Sequence, residues 1–329
     1  MAALGKLSAM DVTFPSQALL SVFPVNSFHA GVSMDSLPVS IVAAISLFPY
    51  FLFSLAFFVL GKFVFDWSTP HIDDQAELSE RDNPAFALIF LGYMLGLAFA
   101  MAGSLSSLGP DPVVNLADIA VSGLGAIILL RLGMILGERL VLPGISFSRE
   151  IVEDRNLGAG FAFAGLFLAN GLVIGGVMAG RSDTWQDMLI DIGLYWLLGQ
   201  VFLLLAWYLF RLIARFDLRK EIAEKNSAAA GLGLGSFFAS VGIILEVALR
   251  GAGSDRLAEI FTASAVGLVG LLILAGARLL SATILFRGAS PAKGKAAGAS
   301  DSIASGAVSA LASLASAVLY AALIGSQLG

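Results

Sequence analysis

The sequence has few charged residues and no cysteine. Only 13% of its 329 residues are Asp, Glu, Lys or Arg, whereas 58% are hydrophobic. A soluble domain carries about 25% charged residues, so this chain has too few to cover a water-facing surface, which excludes a soluble enzyme as the whole protein. The lack of cysteine excludes disulfides, thiolate metal sites and cysteine nucleophiles. The net charge of −5, without a basic cluster interleaved with aromatic residues, excludes nucleic acid as an expected partner.

Long apolar runs take the place of the missing charges. A membrane-crossing helix needs about 20 mostly apolar residues, and such runs recur along most of the chain. Because helices satisfy their own backbone hydrogen bonds in lipid, the runs predict an all-α, polytopic integral membrane protein with eight spans. The predicted spans are 39–63, 84–106, 117–141, 157–180, 188–212, 227–250, 258–282 and 303–326.

The distribution of Lys and Arg predicts the orientation of the chain. The loops after the first, third, fifth and seventh spans hold most of the 19 basic residues. Basic residues in short loops stay in the cytoplasm, so both termini are expected outside it. Residues 1–38 are then an extracytoplasmic tail, because Pro15 and Pro24 break its weak apolar stretch.

Three junctions between a loop and a span resemble one another. They are centred on Asn83, Asn156 and Asn226. A glycine follows each asparagine nine residues later: Gly92, Gly165 and Gly235. With a degenerate junction at Asp301-Ser302, the chain is predicted to contain four parallel two-helix repeats. These repeats are 39–110, 111–182, 183–252 and 253–329, the last with a flexible linker at 287–300.

The recurring asparagines have two interpretations. Asn is a preferred helix N-cap, Pro84 suits the first helical position, and the preceding acids favour the positive end of the helix dipole. This structural interpretation is the favoured one. The functional alternative is that several helix N-termini converge on the cytoplasmic side and form an ion-attracting mouth.

The second helix of each repeat is rich in small residues, whereas the first is rich in bulky ones. Small residues let membrane helices approach closely, and GxxxG spacing occurs at Gly92/Gly96 and Gly171/Gly175. The first helices carry aromatic residues that suit lipid contact. The alternation predicts an inner set of slender second helices and an outer set of bulky first helices.

The run at residues 80–98, ERDNPAFALIFLGYMLGLA, resembles the hallmark of the bacterial membrane family catalogued as domain of unknown function 350 (DUF350). Through the repeat, the resemblance covers most of residues 39–326. It implies tandem hairpins and a location in the bacterial inner (plasma) membrane. The family brings no settled activity, so the resemblance supports the architecture and leaves the mechanism open.

Arg131 lies near the middle of the third predicted span. A charged residue there is costly and calls for a functional hypothesis. Other polar residues are predicted at similar depth: Asn170, Gln200 and Ser240. One hypothesis is a midplane polar site in which Arg131 binds an anion or sets charge selectivity. The favoured alternative is a structural arginine bonded to helix carbonyls and to Asn170 or Gln200.

Acidic residues recur near the outer ends of the first helices. They are Asp118, Asp191 and Glu259. They are expected to complement helix dipoles, and the alternative is a ring of acids that concentrates cations at an external mouth.

The sequence contains none of the common catalytic motifs, so no enzymatic activity, cofactor or metal site is expected. His71 with Asp73 and Asp74 indicates a solvated acidic loop rather than a metal site. The leading hypothesis is a channel-like or transporter-like protein for a small ion or solute. The alternative is a non-transporting scaffold or stress-response component that recruits a cytoplasmic protein through loops 64–83, 142–156 and 213–226. The apolar runs predict that the protein is embedded in the lipid bilayer. The sequence does not indicate an oligomeric state.

Overall fold

A computed structural model describes residues 37–70, 72–180, 184–214, 216–250, 255–285 and 302–328. Eight long helices and no strand lie in these segments. The helices are α1 (Leu37–Ser68), α2 (Pro84–Ser106), α3 (Pro112–Leu136), α4 (Leu157–Ala179), α5 (Trp185–Ala214), α6 (Ala228–Leu249), α7 (Arg256–Leu285) and α8 (Ile303–Leu328). Each is long and apolar enough to cross a membrane, which confirms the all-α polytopic class. The predicted linker at 287–300, and the predicted tail up to residue 36, lie outside the described residues.

Side-chain caps set several helix starts. Asn83 accepts hydrogen bonds from the amides of Ala85 and Phe86, both at 3.1 Å, and Pro84 occupies the first helical position. Asp111 caps α3 in the same way, accepting from the amide of Val113 at 2.8 Å. The predicted third span begins at residue 117, five residues too late, because the Asp111-Pro112 cap precedes the apolar run that marks the span.

The second helices α2, α4, α6 and α8 form a row of parallel neighbours, here called the inner row. One register recurs at every contact in it. Gly160 packs on Ala85, Gly231 on Gly158, and Gly306 on Ala229. The equivalent starting positions of the four helices are Asn83, Asn156, Ser227 and Ser302. In each pair the first residue comes four positions after the start of its own helix, and the second comes two positions after the start of the preceding helix. The inner row is therefore built from four equivalent helices.

Glycine brings the inner helices into backbone contact. A Cβ atom on Gly92 would lie 2.6 Å from the Cα atom of Ala164, and one on Gly175 would lie 2.5 Å from the carbonyl oxygen of Phe99. Real Cβ atoms do not approach backbone this closely, so only glycine fits. The other glycines predicted to serve packing have the same role: Gly96 against Phe167, Gly165 against Gly235, Gly171 against Gly96, and Gly235 against Phe161.

The first helices α1, α3, α5 and α7 form a second layer and contact one another in chain order. Phe57 of α1 packs on Gly123 of α3, and Phe202 of α5 packs on Gly267 of α7. The second contact lies 144–145 residues after the first, so a unit of two hairpins recurs as well as the single hairpin. Helices α4 and α6 are buried on most sides, whereas α8 is more exposed than α3, α5 and α7. The small-residue helices do form one row, but the prediction that all of them lie inside the bulky helices is wrong for α8.

Leucine marks both ends of the inner row. Leu91 of α2 stands where Ala164 and Gly235 make backbone contact in the next copies, and its side chain is 53% exposed. Leu311 of α8 is 66% exposed and stands where Gly92 and Gly165 make backbone contact. A further helix could not approach either end as closely as the inner helices approach one another. Terminal repeats that differ in this way are typical of repeat proteins.

Candidate functional site

A cluster of polar side chains joins α4 to α5 halfway along the helices. The Oδ1 atom of Asn170 accepts hydrogen bonds from Trp196 Nε1 at 3.0 Å and Gln200 Nε2 at 2.7 Å, while its Nδ2 atom donates to the carbonyl oxygen of Leu166 at 3.0 Å. All three side chains are buried. Gly133 of α3 leaves the space that Asn170 fills, because a Cβ there would lie 2.7 Å from Oδ1.

The other two residues predicted for this polar site make their contacts elsewhere. The guanidinium of Arg131 donates to the carbonyl oxygen of Ser68 at 2.9 Å and contacts the sulfur of Met134 at 2.8 Å. It thus caps the last turn of α1, where a helix dipole is negative. Ser240 donates to the carbonyl oxygen of Ser236 in its own helix at 2.7 Å. The structure therefore brings Asn170 and Gln200 together and places the contacts of Arg131 and Ser240 elsewhere.

The Oε1 atom of Gln200 is buried and accepts no hydrogen bond from the described residues. Asn170, in contrast, satisfies two donors at once. We expect Asn170→Ala to destabilise the fold by about 3 kcal/mol, because the buried indole N–H of Trp196 loses its acceptor and Gln200 Nε2 keeps only a 3.4 Å bond to the carbonyl oxygen of Trp196. Gln200→Met, which also removes the unpaired acceptor, should stay within about 1 kcal/mol of wild type. Chemical unfolding in detergent, followed by tryptophan fluorescence, measures both changes.

Three equivalent junctions precede α2, α4 and α6, and together they form what we call the junction face. Each consists of one π-helical turn followed by a residue with positive φ. The turns are Ala76–Glu80, Arg149–Glu153 and Lys220–Glu224. The residues with positive φ are Asp82 at 46°, Arg155 at 47° and Asn226 at 51°. Arginine seldom adopts this conformation, so the surrounding contacts hold Arg155 there.

This geometry corrects the third predicted cap. Asn226 occupies the position of Asp82 and Arg155, and Ser227 caps α6 by accepting from the amide of Ala230 at 3.3 Å. Counting from Ser227, the residue equivalent to Gly92 and Gly165 is Ser236, and Gly235 lies one position earlier. Asn83 and Asn156 are caps as predicted.

A buried glutamate completes each junction. The backbone amides of the caps donate to the carbonyl oxygens of Glu77, Glu150 and Glu221, at 2.9, 2.8 and 3.0 Å. The side-chain amides of Asn83 and Asn156 also donate, each at 2.7 Å, to the carboxylates of Glu77 and Glu150. Burial raises the pKa of Glu150, and the hydrogen bond from Asn156 opposes the shift. The three glutamates are not among the predicted site residues, although each stands six residues before its cap.

The cap asparagines also bind one copy to the next. Asn83 Nδ2 donates to the carbonyl oxygen of Ile151 at 2.8 Å, and Asn156 Nδ2 donates to that of Ile222 at 2.6 Å. Arg155 Nη1 donates to the carbonyl oxygen of Arg81 at 3.1 Å. Each buried asparagine therefore caps its own helix, binds its own glutamate and holds the following π-helical turn. This arrangement supports the structural interpretation of the asparagines.

The outer acids do not form a ring of equivalent carboxylates. Arg256 donates to Asp187 at 2.5 Å and to Asp191 at 2.6 Å, whereas Glu259 is bonded to the hydroxyl of Tyr195. Asp118 has no ion pair with the described residues. Contacts also show that Glu259 is equivalent to Asn115, which lies beside the hydroxyl of Tyr50 as Glu259 lies beside Tyr195. The sequence aligns Glu259 with Asp118 because each acid precedes an isoleucine near the start of its predicted span.

The acidic loop after α1 is held by an ion-pair cluster. Lys62 donates to Asp66 and to Asp74, each at 2.5 Å. Burial raises the pKa of Asp74, while Lys62 opposes the shift. Asp73 caps the following turn through the amide of Ala76 at 3.0 Å. His71, considered with these acids as a metal ligand, lies outside the described residues.

Comparison with known proteins assigns the chain to a family. A transmembrane protein of Aquifex aeolicus (strain VF5), described as UPF0719, is 28% identical over 204 residues, which are 61% of this chain and 72% of that protein. No solved structure matches the chain. The family described as Domain of Unknown Function (DUF350) matches residues 36–178 and again residues 184–324. The two matches agree with the recurring two-hairpin unit, and the chain therefore belongs to the DUF350 family of membrane proteins.

Proposed function

We propose that the chain is a non-transporting membrane scaffold that presents the junction face to a basic protein partner in the cytoplasm. The backbone contact of the inner row is the observation that carries this proposal. Four parallel helices held by glycines leave little freedom for hinge or rocking motions, because separating them would break contacts along their whole length. A rigid platform suits a scaffold better than an alternating-access transporter.

The transport hypothesis rested on a polar layer around Arg131. The bonds of Arg131 to Ser68 and Met134 separate it from the amide cluster of Asn170 and Gln200. The polar atoms of that cluster mostly satisfy one another between packed helices. These contacts support a structural role for the polar residues and weaken the case for a selective path.

The junction face repeats one pattern of exposed charge. Glu80, Glu153 and Glu224 occupy equivalent positions, three residues before their caps, and all three are exposed. The basic residues beside two of them point back to the buried glutamates, since Arg81 pairs with Glu77 and Lys225 with Glu221. Within the described part of the chain Glu80, Glu153 and Glu224 form no ion pair, and their carboxylates face outward at equivalent positions of the three junctions. Such a row of carboxylates complements a basic segment of a partner protein, and the distribution of Lys and Arg supports a cytoplasmic location for it.

The test uses charge reversal on the full-length chain. Proteins cross-linked to the chain in membranes are identified by quantitative mass spectrometry. The amount of partner cross-linked to wild type should fall at least tenfold in a variant that combines Glu80→Lys, Glu153→Lys and Glu224→Lys. A triple Glu→Asp variant, which keeps the charges, should retain it. Partner capture should also weaken with added salt, because exposed charges are screened.

Flux measurements separate the scaffold from a transporter. Liposomes containing wild type should show no ion or solute flux above empty liposomes. Flux in wild-type liposomes that disappears in Asn170→Ala would contradict the scaffold proposal. Partner capture that is indifferent to the charge reversal would also contradict it.

A further inference from the structure

Arg278 of α7 is an oriented cation between three other helices. Its guanidinium carbon lies 3.9 Å from the centre of the Phe210 ring of α5, in a cation–π contact. Its Nη1 atom donates to the hydroxyl of Ser309 in α8 at 2.5 Å. Gly233 of α6 supplies the third wall, since a Cβ there would lie 3.3 Å from Nη1. The guanidinium is thus held in one orientation.

No acid neutralises this cation within the described part of the chain, where no carboxylate lies within 4 Å of Arg278. Other arginines have a negative partner: Arg250 pairs with Glu246, and Arg256 with two aspartates. Arg131 caps the negative end of a helix. Arg278 has only a neutral hydroxyl and an aromatic ring. A half-buried positive charge so weakly compensated favours an anion from outside the chain.

The depth of Arg278 matches that of lipid phosphates. Helix α7 has 30 residues, or about 45 Å at 1.5 Å per residue, whereas the hydrocarbon core is about 30 Å thick. Arg278 lies seven residues before the end of α7 on the side of the junction face. A centred α7 therefore puts the guanidinium roughly at the boundary between hydrocarbon and headgroups.

We propose that Arg278 binds the phosphate of an anionic phospholipid in the leaflet on the side of the junction face. Guanidinium has five N–H donors in a planar fork that matches two phosphate oxygens. One donor binds Ser309, and the hydroxyl and Phe210 aim the rest of the fork. Basic clefts between membrane helices on this side are known to suit acidic headgroups. The site lies apart from the exposed carboxylates of the proposed scaffold surface, so the two proposals stand or fall separately.

The test measures lipid-dependent stability of the purified full-length chain in detergent. Phosphatidylglycerol should raise the melting temperature of wild type, and phosphatidylcholine should have less effect. Arg278→Gln should raise the half-saturating phosphatidylglycerol concentration at least tenfold. Ser309→Ala, which keeps the charge but removes its orienting bond, should raise it about threefold. Arg211→Gln is the matched control, because it removes an exposed arginine next to Phe210 in α5 and leaves Arg278 in place. It should change the half-saturating phosphatidylglycerol concentration by less than about twofold.

Three outcomes would overturn the proposal. An unchanged response of Arg278→Gln would show that the cleft is not the site. An equal stabilisation by inorganic phosphate at the same concentrations would exclude a lipid source. Asp301, which lies outside the described residues, provides the third arm. If Asp301→Asn lowers the melting temperature as much as Arg278→Gln and phosphatidylglycerol leaves wild type unchanged, the anion is a carboxylate of the chain itself.

Discussion

Gly165→Ala should destabilise the protein by about 3 kcal/mol, although alanine is the better helix former by about 1 kcal/mol. Gly165 of α4 lies directly against the backbone of Gly235 in α6, so an added methyl group has no flexible neighbour to displace. The two helices must separate, and the contacts between them along their length are strained or lost. Denaturant unfolding in detergent micelles measures the change in the free energy of unfolding.

Gly193→Ala is the matched control for this substitution. Gly193 lies in α5, and a Cβ atom there would meet nothing within 4 Å. The same change should therefore be neutral or stabilise the protein by up to about 1 kcal/mol, since only the helix propensity differs. Equal effects at positions 165 and 193 would show that the inner helices do not pack backbone against backbone.

Asn156→Ala should lower the free energy of unfolding by about 3 kcal/mol. Loss of the cap accounts for about 1 kcal/mol. The rest comes from the buried carboxylate of Glu150 and the carbonyl oxygen of Ile222, which each lose a hydrogen bond from Asn156. The same denaturant measurement on the full-length chain detects the loss.

Serine at position 156 separates the two contributions. Ser227 caps the equivalent helix in the third copy, so Asn156→Ser should keep the cap and lose only the bonds to Glu150 and Ile222. Its effect should be about two thirds of that of Asn156→Ala. If serine were as stable as asparagine, the connection between adjacent copies would contribute nothing to stability.

The sequence predicts much of the fold because length and apolar composition are enough to identify membrane-spanning helices. The limits of α2 were predicted without error, since Asn83 and Pro84 fix its start. Helices α1, α5 and α7 extend beyond their predicted spans at both ends, and α3 begins five residues before its predicted span. Their polar ends, such as the Asp-Pro cap of α3, extend beyond the apolar run that marked the span.

The observed polar cluster does not include Arg131, because the length of this side chain determines which group it contacts. Arg131 lies five residues before the end of α3 rather than near its middle, and its long side chain extends to the end of α1. Asn170 and Gln200 have short side chains, so their depth on adjacent helices predicted their contact. Trp196 was missed because an indole N–H gives no polar signal in an apolar run.

Residue identity also misled the alignment of the repeats. Asn226 matches Asn83 and Asn156 in type, but it takes the left-handed position that Asp82 and Arg155 occupy. Asparagine suits both positions, because it can cap a helix and adopt positive φ. Only the backbone geometry distinguishes the two, and it shifts the third copy by one residue.

Accessibility of single cysteines tests the parallel inner row most directly, and the natural chain has no cysteine to interfere. Glu80, Glu153 and Glu224 are exposed at equivalent junctions, whereas Pro110 and Gln186 are exposed at the opposite end of the bundle. Each is replaced by cysteine and treated with a membrane-impermeant maleimide in sealed, oriented vesicles. We expect the three junction cysteines to react from one side and the other two from the opposite side. Labelling of any one junction from the opposite side would contradict the row of parallel helices.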